Sequence, residues 1–177
     1  YAFPGHKGLL GPQGTGGLYI APDTPLETFR EGGTGSSSES MLQPADPPEC
    51  YESGTVNLPG IAGLQAGAAI VSEEGREHWA RERELTRMLY EGLGALETVT
   101  LYSPAEEAAR VGVISFNLGD RMSTAVADAL DQRGIAVRGG LHCAPGMHGW
   151  LRTLRRGTVR VSPSWQNTPE DVDYLLA

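Results

Sequence analysis

The stretch IAVRGGLHCAPGMHGWLRTLRRGTVRVSPSWQNTPEDVDYLL, residues 135–176, alternates strand with turn and closes on a helix. IAVRGG reads as a strand running into the loop LHCAPGMHG, where Pro145, Gly146 and Gly149 interrupt any regular pattern. TVRVS is a second strand. NTPEDVDYLL opens a helix, with Thr168 as its cap, Pro169 in the first turn and Asp171 three residues on. Upstream, TVTLYS reads as a strand. VISFNL alternates, with Ile114, Phe116 and Leu118 on one side and Val113, Ser115 and Asn117 on the other, as a half-buried strand does. Met122, Val126, Ala129 and Leu130 form a helix face, and Gly134 sits where a C-terminal cap glycine belongs. Together these segments predict a small α/β unit from residue 97 onward, appended to something larger.

Working outward, IAGLQAGAAIVSEEG (61–75) predicts a helix closing at Gly75. A second helix is expected from Arg76, because Leu85, Met88, Leu89, Leu93 and Leu96 recur at helical spacing. The expected organisation is therefore 1–75, a connecting helix over 76–96, and 97–177. Residues 1–20 read as a strand running into a glycine-rich loop, then the short strand GGLYI. Residues 21–60 hold half of the prolines and the polar run GGTGSSSES, read as an interface loop; irregular stretches this long are uncommon unless functional. The chain starts at Tyr1 within a strand pattern and stops at Ala177 within a helical one, so a piece of a longer protein is expected.

With 177 residues, 40% of them apolar and 20% charged, the chain suits a globular protein rather than a disordered one. A net charge of -8 argues against nucleic acid or an anionic membrane as the main partner. No apolar run approaches the length of a membrane span, and no signal peptide is visible. Two cysteines, Cys50 and Cys143, are too few for a disulfide scaffold, and a reducing, cytoplasmic setting is expected.

Three residues carry chemistry. Lys7 lies in FPGHKGLLGPQG (3–14), directly after His6 and between glycines. It reads either as a solvated loop lysine or as an amine freed by desolvation to bond an aldehyde, with the glycines admitting a bulky ring. The segment fails as a phosphate-binding P-loop, because there the lysine must follow the last glycine and precede Ser or Thr. Cys143 reads either as a small core residue or as a nucleophile, since Arg138 and His142 are close in sequence and positive neighbours favour a thiolate. Cys143, His142 and His148 also resemble zinc ligands, but no second ligand pair completes the four that a structural site needs. Arg160 interrupts an apolar strand and needs a partner, either a protein carboxylate or the carboxylate of a small substrate. His78 and Cys50 attract no functional role.

FPGHKGLLGPQGTGGLYI, YESGTVNLPGIAGL, AVRGGLHCAP and GTVRVSPSWQNTPEDVDYLL, in that order, resemble the second half of class V pyridoxal-phosphate enzymes. The resemblance is to the cysteine desulfurase and selenocysteine lyase branch, and it is weakest over 76–112. It implies a fragment of a fold-type I transferase: the end of the large domain plus the small C-terminal α/β domain. It implies pyridoxal 5'-phosphate held covalently by Lys7, with His6 at the phosphate. Gly54 and Thr55 would reach across a homodimer interface to the phosphate in the partner's site. Cys143 would be the nucleophile carrying sulfur as a persulfide, Arg160 would hold the substrate α-carboxylate, and Arg138 would stand beside the cysteine loop. Conversion of cysteine, or selenocysteine, to alanine with delivery of sulfur to an acceptor protein follows from the resemblance. The branch departs here in two places: Pro4 stands where a phosphate-binding serine is often found, and Leu141 where some members have a second histidine. The family's ring-stacking histidine and its partners at the pyridine nitrogen would lie upstream of Tyr1, so the 177 residues alone are expected to be inactive. Three readings compete: an aminotransferase of the same class, a selenocysteine-specific lyase, and a non-catalytic binding module built on the long helix and acidic surface.

Overall fold

The computed structural model of the chain describes residues 1–33, 35 and 37–177. Thr34 and Ser36, within the GGTGSSSES run, lie outside the described residues, and so does the reading of that run as an interface loop. The chain divides into two compact units, Tyr1–Gly75 and Arg76–Ala177.

In the first unit, β1 (Ala2–Pro4) pairs antiparallel with β2 (Gly16–Leu18), with Phe3 opposite Gly17. The glycine-rich loop between them folds back on itself. Gly5 N–H donates to the Thr15 carbonyl at 2.8 Å, and Gly11 N–H to the Gly5 carbonyl at 2.8 Å. A long irregular segment follows, broken by a 3₁₀ turn (Glu49–Tyr51) around the buried Cys50. Helix α1 (Leu58–Gly94) then begins, its Gly60 N–H accepted by the Asn57 side chain at 3.1 Å. The first turns of α1 lie against the loop so closely that a Cβ on Gly67 would strike the backbone of Leu9 and Leu10. Glycine is thus required there for close approach.

The expected break at Gly75 does not occur: α1 runs unbroken over 37 residues. One interior glycine costs a helix only about 1 kcal/mol, and no proline follows to remove a hydrogen bond.

The second unit contains the rest of α1 and a four-stranded, wholly antiparallel sheet in the order β3-β4-β6-β5. Its strands are β3 (Val99–Leu101), β4 (Ile114–Leu118), β5 (Arg138–Gly140) and β6 (Thr158–Val161). Helices α2 (Ser123–Asp131), α3 (Pro145–Trp150) and α4 (Pro169–Leu176) complete it. Leu85, Leu89 and Leu93, four residues apart on α1, meet Ile114, Phe116, Val126, Val159, Val161 and Val172 in one core. Gly134 takes the left-handed conformation (φ 76°) just past α2, as its cap position predicts. The α4 cap is the predicted reciprocal box between Thr168 and Asp171. Asn117 differs from the half-exposed position expected of it. It is buried and donates to the Tyr102 hydroxyl at 3.3 Å, so Tyr102 meets it on the side of β4 that alternation leaves away from the core.

Candidate active site

Val159 and Val161 of β6 face the core, so alternation turns Arg160 to the other side of the sheet. The register sets Arg160 directly opposite Arg138 of β5, and opposite Ser115 of β4. Side chains so paired share a face with Cβ atoms about 5 Å apart, and like charges there repel. Neither guanidinium has an ion-pair partner among the described residues, and Arg160 Nε is buried without a hydrogen bond. The protein carboxylate that Arg160 needs is therefore not supplied by the described residues. A planar anion bound from outside would relieve both the repulsion and the orphaned donor.

The segment after β5 is tightly constrained. Gly140 (φ 127°) lies against Gly157 (φ 63°), where a Cβ would strike the Gly140 carbonyl and the Ser123 hydroxyl. Only glycine fits at 157, both for its backbone angle and for space. His142 (φ 53°) and Cys143 (φ 61°) then take consecutive left-handed conformations, which side chains rarely adopt. Cys143 is exposed by this turn. His142 Nε2 donates to the Thr158 carbonyl at 2.9 Å, which assigns the tautomer and leaves Nδ1 as a buried lone pair with no partner. Burial holds the His142 imidazole below its ordinary value of 6.5, and the charges of Arg160, His148 and Arg138 act in the same direction against the Thr158 bond. His148 is buried on α3 with Nδ1 2.8 Å from the Thr153 hydroxyl, and its ring centre is 5.8 Å from that of His142. Both imidazoles thus have one nitrogen engaged in a hydrogen bond.

In the first unit, Lys7 and His6 follow β1 in the folded-back loop, both exposed. The Lys7 carbonyl accepts from Leu10 N–H at 2.9 Å, fixing the turn that presents the amine. Lys7 lines an open, largely apolar depression of about 510 Å³ with Tyr1, Phe3, Pro4, Gly8 and Leu9. Pyridoxal 5'-phosphate fits the character of these residues: an amine without an ion-pair partner among the described residues, beside aromatic and glycine surface open to a ring. Gly54 (φ 80°) and Thr55 form an exposed bend just before α1, and neither lines that depression.

The structure thus groups His6 with Lys7 in one unit, and Arg138, Arg160 and Cys143 with His142 in the other. His142 and His148 were legible only as neighbours of the thiol, since the spacing of HCAPGMH does not reveal which threonines they meet. His78, given no role, stacks on Trp165 with ring centres 3.9 Å apart.

Residues 1–175 match the family model described as aminotransferase class-V. The chain is 39% identical over 183 residues to a cysteine desulfurase of Salmonella agona, an overlap of 100% of this chain and 44% of that protein. Among solved structures it is similar to an apo cysteine desulfurase from Thermococcus onnurineus, with a TM-score of 0.81, 34% identity, and coverage of 99% of this chain and 44% of that one. It is also similar to the cysteine desulfurase CsdA of Escherichia coli, with a TM-score of 0.83, 26% identity and coverage of 99% and 44%. The chain spans a little under half the length of the curated relatives it matches.

Proposed function

The chain belongs to the class V aminotransferase family, and from that premise we propose that its parent protein is a cysteine desulfurase that converts cysteine to alanine and carries the sulfur on Cys143. Pyridoxal 5'-phosphate, when bound, supplies an electron sink that weakens bonds at the carbons of the amino-acid substrate. Lys7 is its covalent anchor, and His6 contributes at the phosphate. Gly54 and Thr55 serve the second site of a homodimer. Released from its anchoring role, the Lys7 amine moves the proton at the substrate Cα, general-base work worth about 10²–10⁴-fold.

The opposed guanidiniums of Arg160 and Arg138 hold the substrate carboxylate. The Cys143 thiolate bonds to the substrate sulfur as the carbon–sulfur bond breaks; its electron pair stays with the substrate, whose Cβ takes up a proton, and alanine leaves while a persulfide stays on the enzyme. The single observation that carries this reading is the exposed Cys143 on a left-handed turn, in the same unit as two arginines that face each other with an unfilled donor.

The test uses the intact parent protein with its cofactor. Cys143→Ala is expected to keep the cofactor's absorbance and lose alanine formation from cysteine by about 100-fold or more. A variant that loses no activity, with the amino group passed to a keto acid and the carbon–sulfur bond kept, would favour a class V aminotransferase, which needs no thiol there. Faster turnover of selenocysteine than cysteine, surviving Cys143→Ala, would mark a selenocysteine lyase. A parent protein that takes up no cofactor would mark a binding module.

A further inference from the structure

Helix α3 is bounded on both sides by left-handed residues that are not glycine: His142 and Cys143 before it, Arg152 (φ 58°) after it. Backbone of this kind persists only where the surroundings impose it. Here Thr153 N–H donates to the His148 carbonyl at 2.8 Å, and the buried His148 side chain meets the Thr153 hydroxyl. The helix is thereby a fixed platform whose buried side is anchored by His148. Its outer side carries Met147, Trp150 and, just beyond, Leu154, which are 57%, 80% and 53% exposed. Cys143 lies two residues before the first residue of α3.

Along the chain on either side of this helix the charged residues have one sign. Residues 132–169 contain six arginines and no aspartate or glutamate, in a chain whose net charge is -8. Arg156 is engaged with Asp120 at 2.7 Å, whereas Arg152 and Arg155 are exposed with no ion pair among the described residues. An exposed tryptophan with exposed apolar side chains and two exposed arginines within a few residues is the composition of a protein-binding hot spot.

We propose that the outer face of α3, with Arg152 and Arg155, docks an acidic protein segment presenting a cysteine thiol, which takes the sulfur from Cys143. This rests on the desulfurase reading above. The partner's thiolate bonds to the outer sulfur of the persulfide, the bond from that sulfur to Cys143 breaks, and Cys143 departs as thiolate. The partner's thiol proton goes to solvent, and no outside oxidant or reductant takes part. Charge complementarity selects the occupant. A symmetric contact with a second copy would set Arg152 and Arg155 against themselves.

The test compares two fluorescent peptides, identical except that one carries glutamates and the other lysines around a single cysteine and a leucine. Binding to the intact, cofactor-loaded parent is read by anisotropy under reducing conditions. The glutamate peptide is expected to bind at least about 10-fold tighter at low salt, with the advantage shrinking as the Debye length falls to about 3 Å near 1 M. Arg152→Glu with Arg155→Glu should reverse the preference, and Trp150→Ala should weaken both peptides about 10-fold, while alanine formation with dithiothreitol as sulfur acceptor stays unchanged. Equal binding of the two peptides, or binding indifferent to the double substitution, overturns the proposal. A double variant whose parent changes its sedimentation assigns the face to self-association and also overturns it. Absence of a persulfide on Cys143 by mass spectrometry sinks the desulfurase reading instead, and leaves the peptide comparison standing.

Discussion

At the level of single residues, His142 shows how burial and charge fix a chemical state. Its Nε2–H is committed to the Thr158 carbonyl, and its other nitrogen is buried without a donor. Burial first, then Arg160, His148 and Arg138, disfavour the imidazolium. Since the folded value is depressed below 6.5, the unfolded chain takes up the proton first as pH falls. The contribution of His142 to stability is therefore complete above that value. It declines as pH drops through it and levels off below the folded value. Urea unfolding followed between about pH 5 and pH 8 should show this decline, and His142→Asn should flatten it; asparagine is chosen because it tolerates the left-handed backbone. A slope unchanged in the variant would assign the pH response elsewhere. The sequence offered His142 only as a positive neighbour of the thiol. Its neutral state depends on a carbonyl sixteen residues away, which no local pattern records.

At the level of elements, local rules were readable wherever the determinants are adjacent in sequence. The α4 box between Thr168 and Asp171 and the left-handed Gly134 after α2 both stand where their spacing places them. Thr168→Ala removes the acceptor for Asp171 N–H and should cost about 1 kcal/mol, measured by thermal or urea unfolding of the second unit, with Thr168→Ser restoring most of it. Gly75 looks like a helix end in the sequence, but the penalty for one glycine is too small to stop a helix whose following turns carry Leu85, Leu89 and Leu93 into a core. Alternation says which side of β4 Asn117 faces, but not that Tyr102 meets it there. The pairing of Arg138 with Arg160 was out of reach altogether, because register is a long-range property of strands joined through α3.

At the level of the whole molecule, each unit has its own means of holding its chemistry. The first uses a folded-back glycine loop against the start of α1 to present Lys7. The second uses a leucine stripe of α1 beneath an antiparallel sheet to present two arginines and a thiol. Leu89→Ala should therefore destabilise the second unit by about 2–5 kcal/mol in native-state hydrogen exchange. Labelling of the buried Cys50 in the first unit should proceed at the wild-type rate; a marked acceleration would show that the two units unfold together. The α/β character after residue 97 was legible, because its strands and caps are contiguous motifs. The geometry that unites Arg138, Arg160 and His142 was not, because it is made by pairing.

That pairing also limits how this region can vary. Because side chains alternate along β5, one codon gained or lost within residues 138–140 would swing Arg138 to the opposite side of the sheet while Arg160 stayed in place. Relatives that keep both arginines opposed should therefore differ in this strand by exchange of side chains alone.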